Sequence, residues 1–313
     1  MILEPTQEAV KAHRLLMSYH YFRKTDLDRM IGKFAMPARI FADSGAYSAS
    51  TLGAEIDVHE YGNWLIKYRR HFSVIANLDV IGSAEKSYEN LKILERMGLD
   101  PLPVYHTGED WKWFDRYCEE YPYIALGGAV GYSASVLMPW AIKCFKRVRE
   151  RRSSTVFHGF GLTNIKAITS LPWFSCDSST WAQAYRWGKP QIWEPVSKKL
   201  IEVHVGDRQA VMKVSRQIRA LGADPGVIYD RSRYNWRNAA SIAACSWRAM
   251  EHHLRRRHGD VERSDNRDVP GLHLYLADAA AQGNSHIVAN HALARYEGLE
   301  GLAPEELRER KLA

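Results

Sequence analysis

Over about its first 210 residues the chain alternates between short β-type runs and stretches of helical spacing. The sequence predicts strands at residues 15–21, 38–42, 73–78, 102–105, 123–126, 155–157 and 173–176. Helices are predicted between them at 61–71, 84–97, 111–120 and 137–152. A βαβα pattern calls for a parallel sheet with helical crossovers. Seven strands, several ending in polar or glycine-bearing turns, suit a (β/α)8 TIM-type barrel better than an open doubly wound sheet. An eighth strand is expected at 200–205. Beyond it, residues 207–221 and 236–258 read as helices, 259–270 as an exposed polar loop, and 272–283 with 286–298 as a further helical pair or a small appendage. The expected organisation is a barrel catalytic domain over 1–206 with a helical C-terminal extension over 207–313.

In such folds the chemistry lies at the carboxyl ends of the strands. The turns read in order are Asp43-Ser44-Gly45, Asn77-Leu78-Asp79, Tyr105-His106-Thr107-Gly108, Leu126-Gly127-Gly128, His158-Gly159-Phe160-Gly161 and Cys176-Asp177-Ser178. A single strand-end aspartate is ordinarily a helix N-cap. Six polar or glycine turns in register converge on one face instead. Two carboxylates at one pocket, Asp43 and Asp177, can divide acid/base work from nucleophilic attack at a sugar carbon.

The 313 residues carry 46% hydrophobic and 25% charged side chains, ordinary for a globular protein. No apolar run reaches the roughly 20 residues that span a bilayer. Residues 1–5 lack the form of a signal peptide, so a cytoplasmic protein without membrane partners is expected. Cys118, Cys144, Cys176 and Cys245 form no Cys-x-x-Cys pair, and neither a zinc ribbon nor a redox motif is signalled. Net charge is +7, with basic clusters at 146–152 and 252–258. Either cluster is a solvated helix face or a grip on phosphates.

Five of the segments resemble, in order, the motifs of the guanine transglycosylases, enzymes that exchange guanine in nucleic acid for a 7-deazaguanine. Asp43-Ser44-Gly45-Ala46-Tyr47 resembles their Asp-Ser-Gly-Gly-Tyr/Phe. Leu78-Asp79 resembles the Leu-Asp of their base-recognition strand. Leu126-Gly127-Gly128-Ala129-Val130-Gly131 resembles their Gly-Gly-Leu-Ala-Val-Gly, and His158-Gly159-Phe160-Gly161 their Met-Gly-Val-Gly. Phe174-Ser175-Cys176-Asp177 resembles the segment that carries their nucleophile. The resemblance covers roughly residues 38–182.

It implies that Asp177 is the nucleophile and Asp43 the general acid/base. It further implies that Asp79 reads the guanine edge, that His106, Gly127 and Gly128 address O6 and the C7 side, and that Tyr47 and His158 sandwich the ring beside Ser44. The tRNA enzymes of the family carry a Cys-x-Cys-x-x-Cys plus His zinc site after the nucleophile. Here only Cys245 follows Asp177, so that site cannot be built in the usual way and no cofactor is expected. Cys245 with His252, His253 and His258 is the one remaining combination. The wording Asp-Ser-Gly-Ala-Tyr-Ser, His-Gly-Phe-Gly and Cys-Asp-Ser-Ser-Thr-Trp is most similar to the phage-type DNA enzymes. DNA and a free 7-deazaguanine are therefore the expected partners, with tRNA second. A hydrolase that admits water to the same carboxylates and a non-catalytic binding subunit are the other readings.

Overall fold

The computed structural model describes residues 12–128, 134–258, 272–277 and 284–299. Eleven strands occur among them: β1 (His13–Ser18), β2 (Ala38–Asp43), β3 (Phe72–Ala76), β4 (Pro101–Leu102), β5 (Val104–His106), β6 (Tyr123–Gly127), β7 (Val156–Gly159), β8 (Ser175–Ser178), β9 (Gln191–Glu194), β10 (Lys199–Glu202) and β11 (His273–Ala277). Nine of these form one sheet in the order β4-β3-β2-β1-β11-β8-β7-β6-β5. Its pairings are parallel. The two edge strands are consecutive in sequence and separated only by Pro103. Proline has no N–H to give a ladder, but its carbonyl still accepts from Ala125 N–H at 2.8 Å. The sheet is therefore a nearly closed, barrel-like α/β structure.

Its strands are buried on both faces, as parallel strands covered by helices must be. Alternate residues divide between the two sides. Leu16, Phe41, Val74, Ala76, Leu102, Val104, Ala125 and Tyr275 pack together inside. Leu15, Met17, Ile40 and Ala42 point outward to the helices, against Leu65 and Leu94 among others. Asp57, Ser83, Asp110 and Asn164 cap the helices that follow strands, each accepting a backbone N–H of the first turn.

Three expectations are corrected. Residues 200–202 do not enter the main sheet. They lie in β10, which pairs antiparallel with β9. The strand between β8 and β1 is β11, in the stretch read as helix from 272 to 283. Leu272, Leu274 and Leu276 alternate with His273 and Tyr275, which is strand periodicity. The alanine-rich run that follows, with alanine at 277, 279, 280 and 281, has helical propensity. Residues after 206 thus supply a strand of the barrel-like sheet as well as helices. Finally, residues 207–221 form two short helices, Arg208–Lys213 and Ser215–Ala220, broken at Val214. The expected loop at 259–270 and the N-terminus at 1–5 lie outside the described residues. Among the described residues no helix is long and apolar enough to cross a membrane.

Candidate active site

The carboxyl ends of the strands open into a cleft of about 700 Å³. Asp43, Ser44, Tyr47, Asp79, His106, Gly127, Gly128 and Asp177 all line it. Asp43 ends β2 and Asp177 lies in β8, so two strands, β1 and β11, stand between them in the sheet.

Local backbone geometry sets the β2 turn. Gly45 has φ of +76°, and a Cβ there would sit 2.1 Å from Ser18 Oγ. Only glycine fits. In that conformation its N–H donates to Asp43 Oδ2 at 3.0 Å. Burial, then the charges of Asp177 and Asp79, push the Asp43 carboxyl up to about 7, against the Gly45 N–H and the Ser18 hydroxyl.

Asp79 and His106 form a second group. His106 Nε2 lies 3.5 Å from Asp79 Oδ2, and its Nδ1 lies 3.3 Å from Glu109 Oε1. Glu109 Oε2 also accepts the His106 backbone N–H at 2.9 Å. Burial works against a charged imidazole, but Asp79 and Glu109 outweigh it and raise the His106 pKa. Burial raises Asp79 to about 7, with Glu109 adding to the effect and His106 and the Asn77 amide opposing it. Gly127 closes this side. A Cβ on it would come within 2.7 Å of the His106 ring, so the glycine lets β6 approach the histidine. The further part of that turn, Ala129-Val130-Gly131, lies outside the described residues.

His158 is not on the cleft wall. It is fully buried behind Asp177, with the Phe41 ring centroid at 4.4 Å and that of Phe160 at 4.6 Å. The expectation that it sandwiches a ligand ring is corrected, because β7 directs it inward between two phenylalanines. Its Nε2 lies 3.3 Å from Asp177 Oδ1 and its Nδ1 lies 2.7 Å from Ser175 Oγ. Burial lowers its pKa further than Asp177 raises it, so the ring is neutral. Tyr123 Oη is in turn 2.6 Å from Ser175 Oγ. Asp177 Oδ1 also accepts Gly161 N–H at 2.8 Å. Among the described residues none donates to Oδ2.

Phe160 lines the cleft, and Tyr47 is half exposed at its mouth. These are the flat side chains available to a planar ligand. Sequence reasoning did not single out Glu109, Ser175, Tyr123 or Phe160 as site residues. Ser175 had a signal, since in a strand it shares a face with Asp177 two residues on.

The basic clusters lie at the other end of the molecule. The Ala134–Glu150 helix runs from the cleft end of β6 down to the start of β7, so residues 146–152 sit opposite the cleft. There Arg147 pairs with Asp115, and Arg151 with Asp115 and Glu119. Arg255, from the other cluster, contacts His273 at the start of β11. Of the possible metal set, the side chain of His258 lies outside the described residues and the other three are engaged elsewhere. Cys245 Sγ donates to Ala292 O, His252 bonds Glu297 and the His253 ring packs on Trp193. Among the described residues no group of three or more His, Cys, Asp or Glu is arranged to hold a metal ion. Compared with known proteins, the chain matches no protein-family model and no curated protein.

Proposed function

We propose that this chain is a guanine transglycosylase of the phage-like, DNA-modifying kind, built on a (β/α)8 TIM-type barrel in which Pro101–His106 counts as one strand. It would exchange guanine in DNA for a 7-deazaguanine, such as 7-cyano-7-deazaguanine, in the cytoplasm. One observation carries the reading: two carboxylates from separate strands share one cleft in contrasting surroundings. Asp43 is held near neutrality by burial beside other carboxylates. Asp177 receives two hydrogen bonds on one oxygen, leaving Oδ2 without a donor among the described residues.

The chemistry follows from that division. Asp177 Oδ2 attacks C1′ of the flipped nucleotide, the bond to guanine breaks, and Asp43 delivers a proton to the departing base. The glycosyl ester then reacts with the incoming base, whose proton returns to Asp43. Asp79 accepts from the N1–H and exocyclic amine that guanine and 7-deazaguanines share. Phe160 and Tyr47 provide ring faces, and the base reaches them by leaving the stack.

The deciding experiment incubates labelled guanine with DNA, with tRNA and with neither. Incorporation into DNA supports the reading. Incorporation into tRNA alone replaces the substrate, and abasic sites without incorporation make the protein a hydrolase. No reaction with either polymer, together with tight binding, leaves a non-catalytic binder.

A further inference from the structure

Residues 183–237 hold eleven of the chain's Lys and Arg but five of its Asp and Glu, so this stretch carries nearly all of the net charge of +7. It follows β8, the strand of Asp177, and runs into the first turn of the Trp236–His258 helix. It has its own core, in which Ile192, Val203, Val211, Val214, Ile218 and Ile228 pack with Ile242. With the apolar face inward, the cations are left outside, and ten of the eleven are exposed.

Two of the cations are paired within the stretch, Lys189 with Glu202 and Arg233 with Asp224, and two details bear on how the rest of the charge is presented. First, most of its few carboxylates serve backbone turns. Asp207 accepts Ala210 N–H, Glu194 accepts the amides of Val196 and Ser197, and Asp230 accepts the amide and hydroxyl of Ser232. Second, the cations are aligned. Lys213, Arg216 and Arg219 recur every third residue along the consecutive helices Arg208–Lys213 and Ser215–Ala220, opposite the buried Val211, Val214 and Ile218. Lys198 and Lys199 stand at the tip of the β9–β10 hairpin, whose strand β9 packs against the Ser215–Ala220 helix. Trp187, 72% exposed, offers an unstacked aromatic face nearby in sequence. The cations at 146–152 differ in place, being at the end of the sheet opposite the cleft, where Arg147 and Arg151 pair with Asp115 and Glu119.

We infer that this basic insertion is the surface that holds the sugar-phosphate backbone of a polynucleotide while one nucleotide occupies the cleft. This rests on the polynucleotide reading of the substrate proposed above. Lysine and arginine side chains on a compact module supply phosphate contacts without reading base edges, so the grip is indifferent to sequence. An anionic membrane is disfavoured because the exposed apolar side chains Trp187, Val196 and Met212 lie on three separate elements and form no inserting face.

The test uses the whole chain and a fluorescein-labelled DNA oligonucleotide, followed by anisotropy over a range of NaCl. The variant Lys213→Gln/Arg216→Gln/Arg219→Gln should bind at least about 10-fold more weakly at moderate salt and lose about two from the slope of log affinity against log salt. The control Lys146→Gln/Arg149→Gln/Arg152→Gln should match the parent. Thermal melting of both variants verifies that the fold is kept, and Lys198→Gln/Lys199→Gln tests the surface on a different element. In base exchange the triple variant should raise the KM for DNA and leave kcat and the KM for the free base unchanged. Unaltered DNA binding in the triple and hairpin variants, or equal loss in the control, overturns the inference. So does binding of phosphatidylserine vesicles that is lost in the triple variant while DNA binding is not. Loss of DNA binding in a protein whose parent exchanges no base would leave this surface standing and remove the transglycosylase reading instead.

Discussion

His158 braces Asp177 from behind, with its Nε2 3.3 Å from Asp177 Oδ1 and its Nδ1 2.7 Å from Ser175 Oγ. A neutral ring satisfies both contacts in one tautomer. Nε2–H donates to Asp177, Ser175 O–H donates to Nδ1, and Tyr123 O–H donates to Ser175. The chain of donors ends on the oxygen that is not offered to the cleft. Asp177→Ala and Asp177→Asn should fold normally and give no exchange. The parent should yield a denaturant-resistant protein–nucleic acid adduct that Asp177→Ala lacks. Ser175→Ala frees the histidine tautomer, so adduct formation should slow about 10-fold with DNA affinity unchanged. Parent-like adduct from Asp177→Ala would remove that residue from the chemistry.

Asp43 makes the reaction depend on pH. Its carboxyl, raised to about 7, is largely protonated below that pH and ionised above it. Delivery of a proton to the departing base therefore fails on the alkaline side. The rate of adduct formation should be level below pH 7 and fall about tenfold per unit well above it. Asp43→Asn should abolish this limb together with most of the rate. Stability runs the same way. A carboxyl whose folded pKa exceeds its unfolded value costs stability as pH rises from about 4, with the full cost reached above 7. Asp43→Asn should accordingly gain up to about 4 kcal/mol over the parent at pH 8 and nothing at pH 4, as read by denaturant titration. A pH-independent difference would contradict the assignment.

Asp79 faces His106 across 3.5 Å and presents acceptors to the cleft. Asp79→Asn places an amide where guanine itself donates, losing one hydrogen bond and setting two donors against each other. The KM for free base should rise about 10-fold or more while oligonucleotide affinity stays the same. An unchanged KM for the base would refute the role.

Much of this arrangement was legible in the sequence because parallel strands announce themselves twice, as apolar runs and as the turns that end them. All seven strands predicted before residue 177 are present within a few residues of where they were expected. Asp43, Asp79, His106 and Asp177 share a cleft because each sits at such a turn. What was not legible depends on contacts between distant segments. The strand β11 is short, followed in sequence by an alanine-rich run, and becomes a strand by pairing with β1 and β8. His158 lies at a strand end like the others, but the direction of its side chain is set by packing between Phe41 and Phe160. Charge clusters read along the chain gave no hint that residues 146–152 point away from the cleft, since that depends on which way the helix runs.

The opposite end of the sheet is held by an ionic group whose loss should be felt in stability alone. Glu251 is buried, accepts from Arg14 Nη1 at 2.9 Å and Arg248 Nη1 at 2.6 Å, and takes the Leu274 N–H at 3.2 Å. Arg14 belongs to β1 and Leu274 to β11, so one carboxylate ties the late strand to the first. Burial opposes its ionisation, but Arg14, Arg248 and Arg255 outweigh burial and lower its pKa. Removing a carboxylate that compensates buried guanidinium groups typically costs about 3–5 kcal/mol, more than the pair itself contributes, because the cations stay behind. Glu251→Ala should lose that much, with melting about 5–8 °C lower for a chain of this size. The cleft should keep its binding properties at temperatures where the variant remains folded. The lowered pKa sets the direction with pH. The contribution of Glu251 is complete above its unfolded value of about 4.5 and is lost as pH falls below it. Melting of the parent should therefore decline in acid more steeply than that of Glu251→Gln, whose site carries no titrating group. If Glu251→Ala melts with the parent at neutral pH, the carboxylate is not what holds β11 in the sheet.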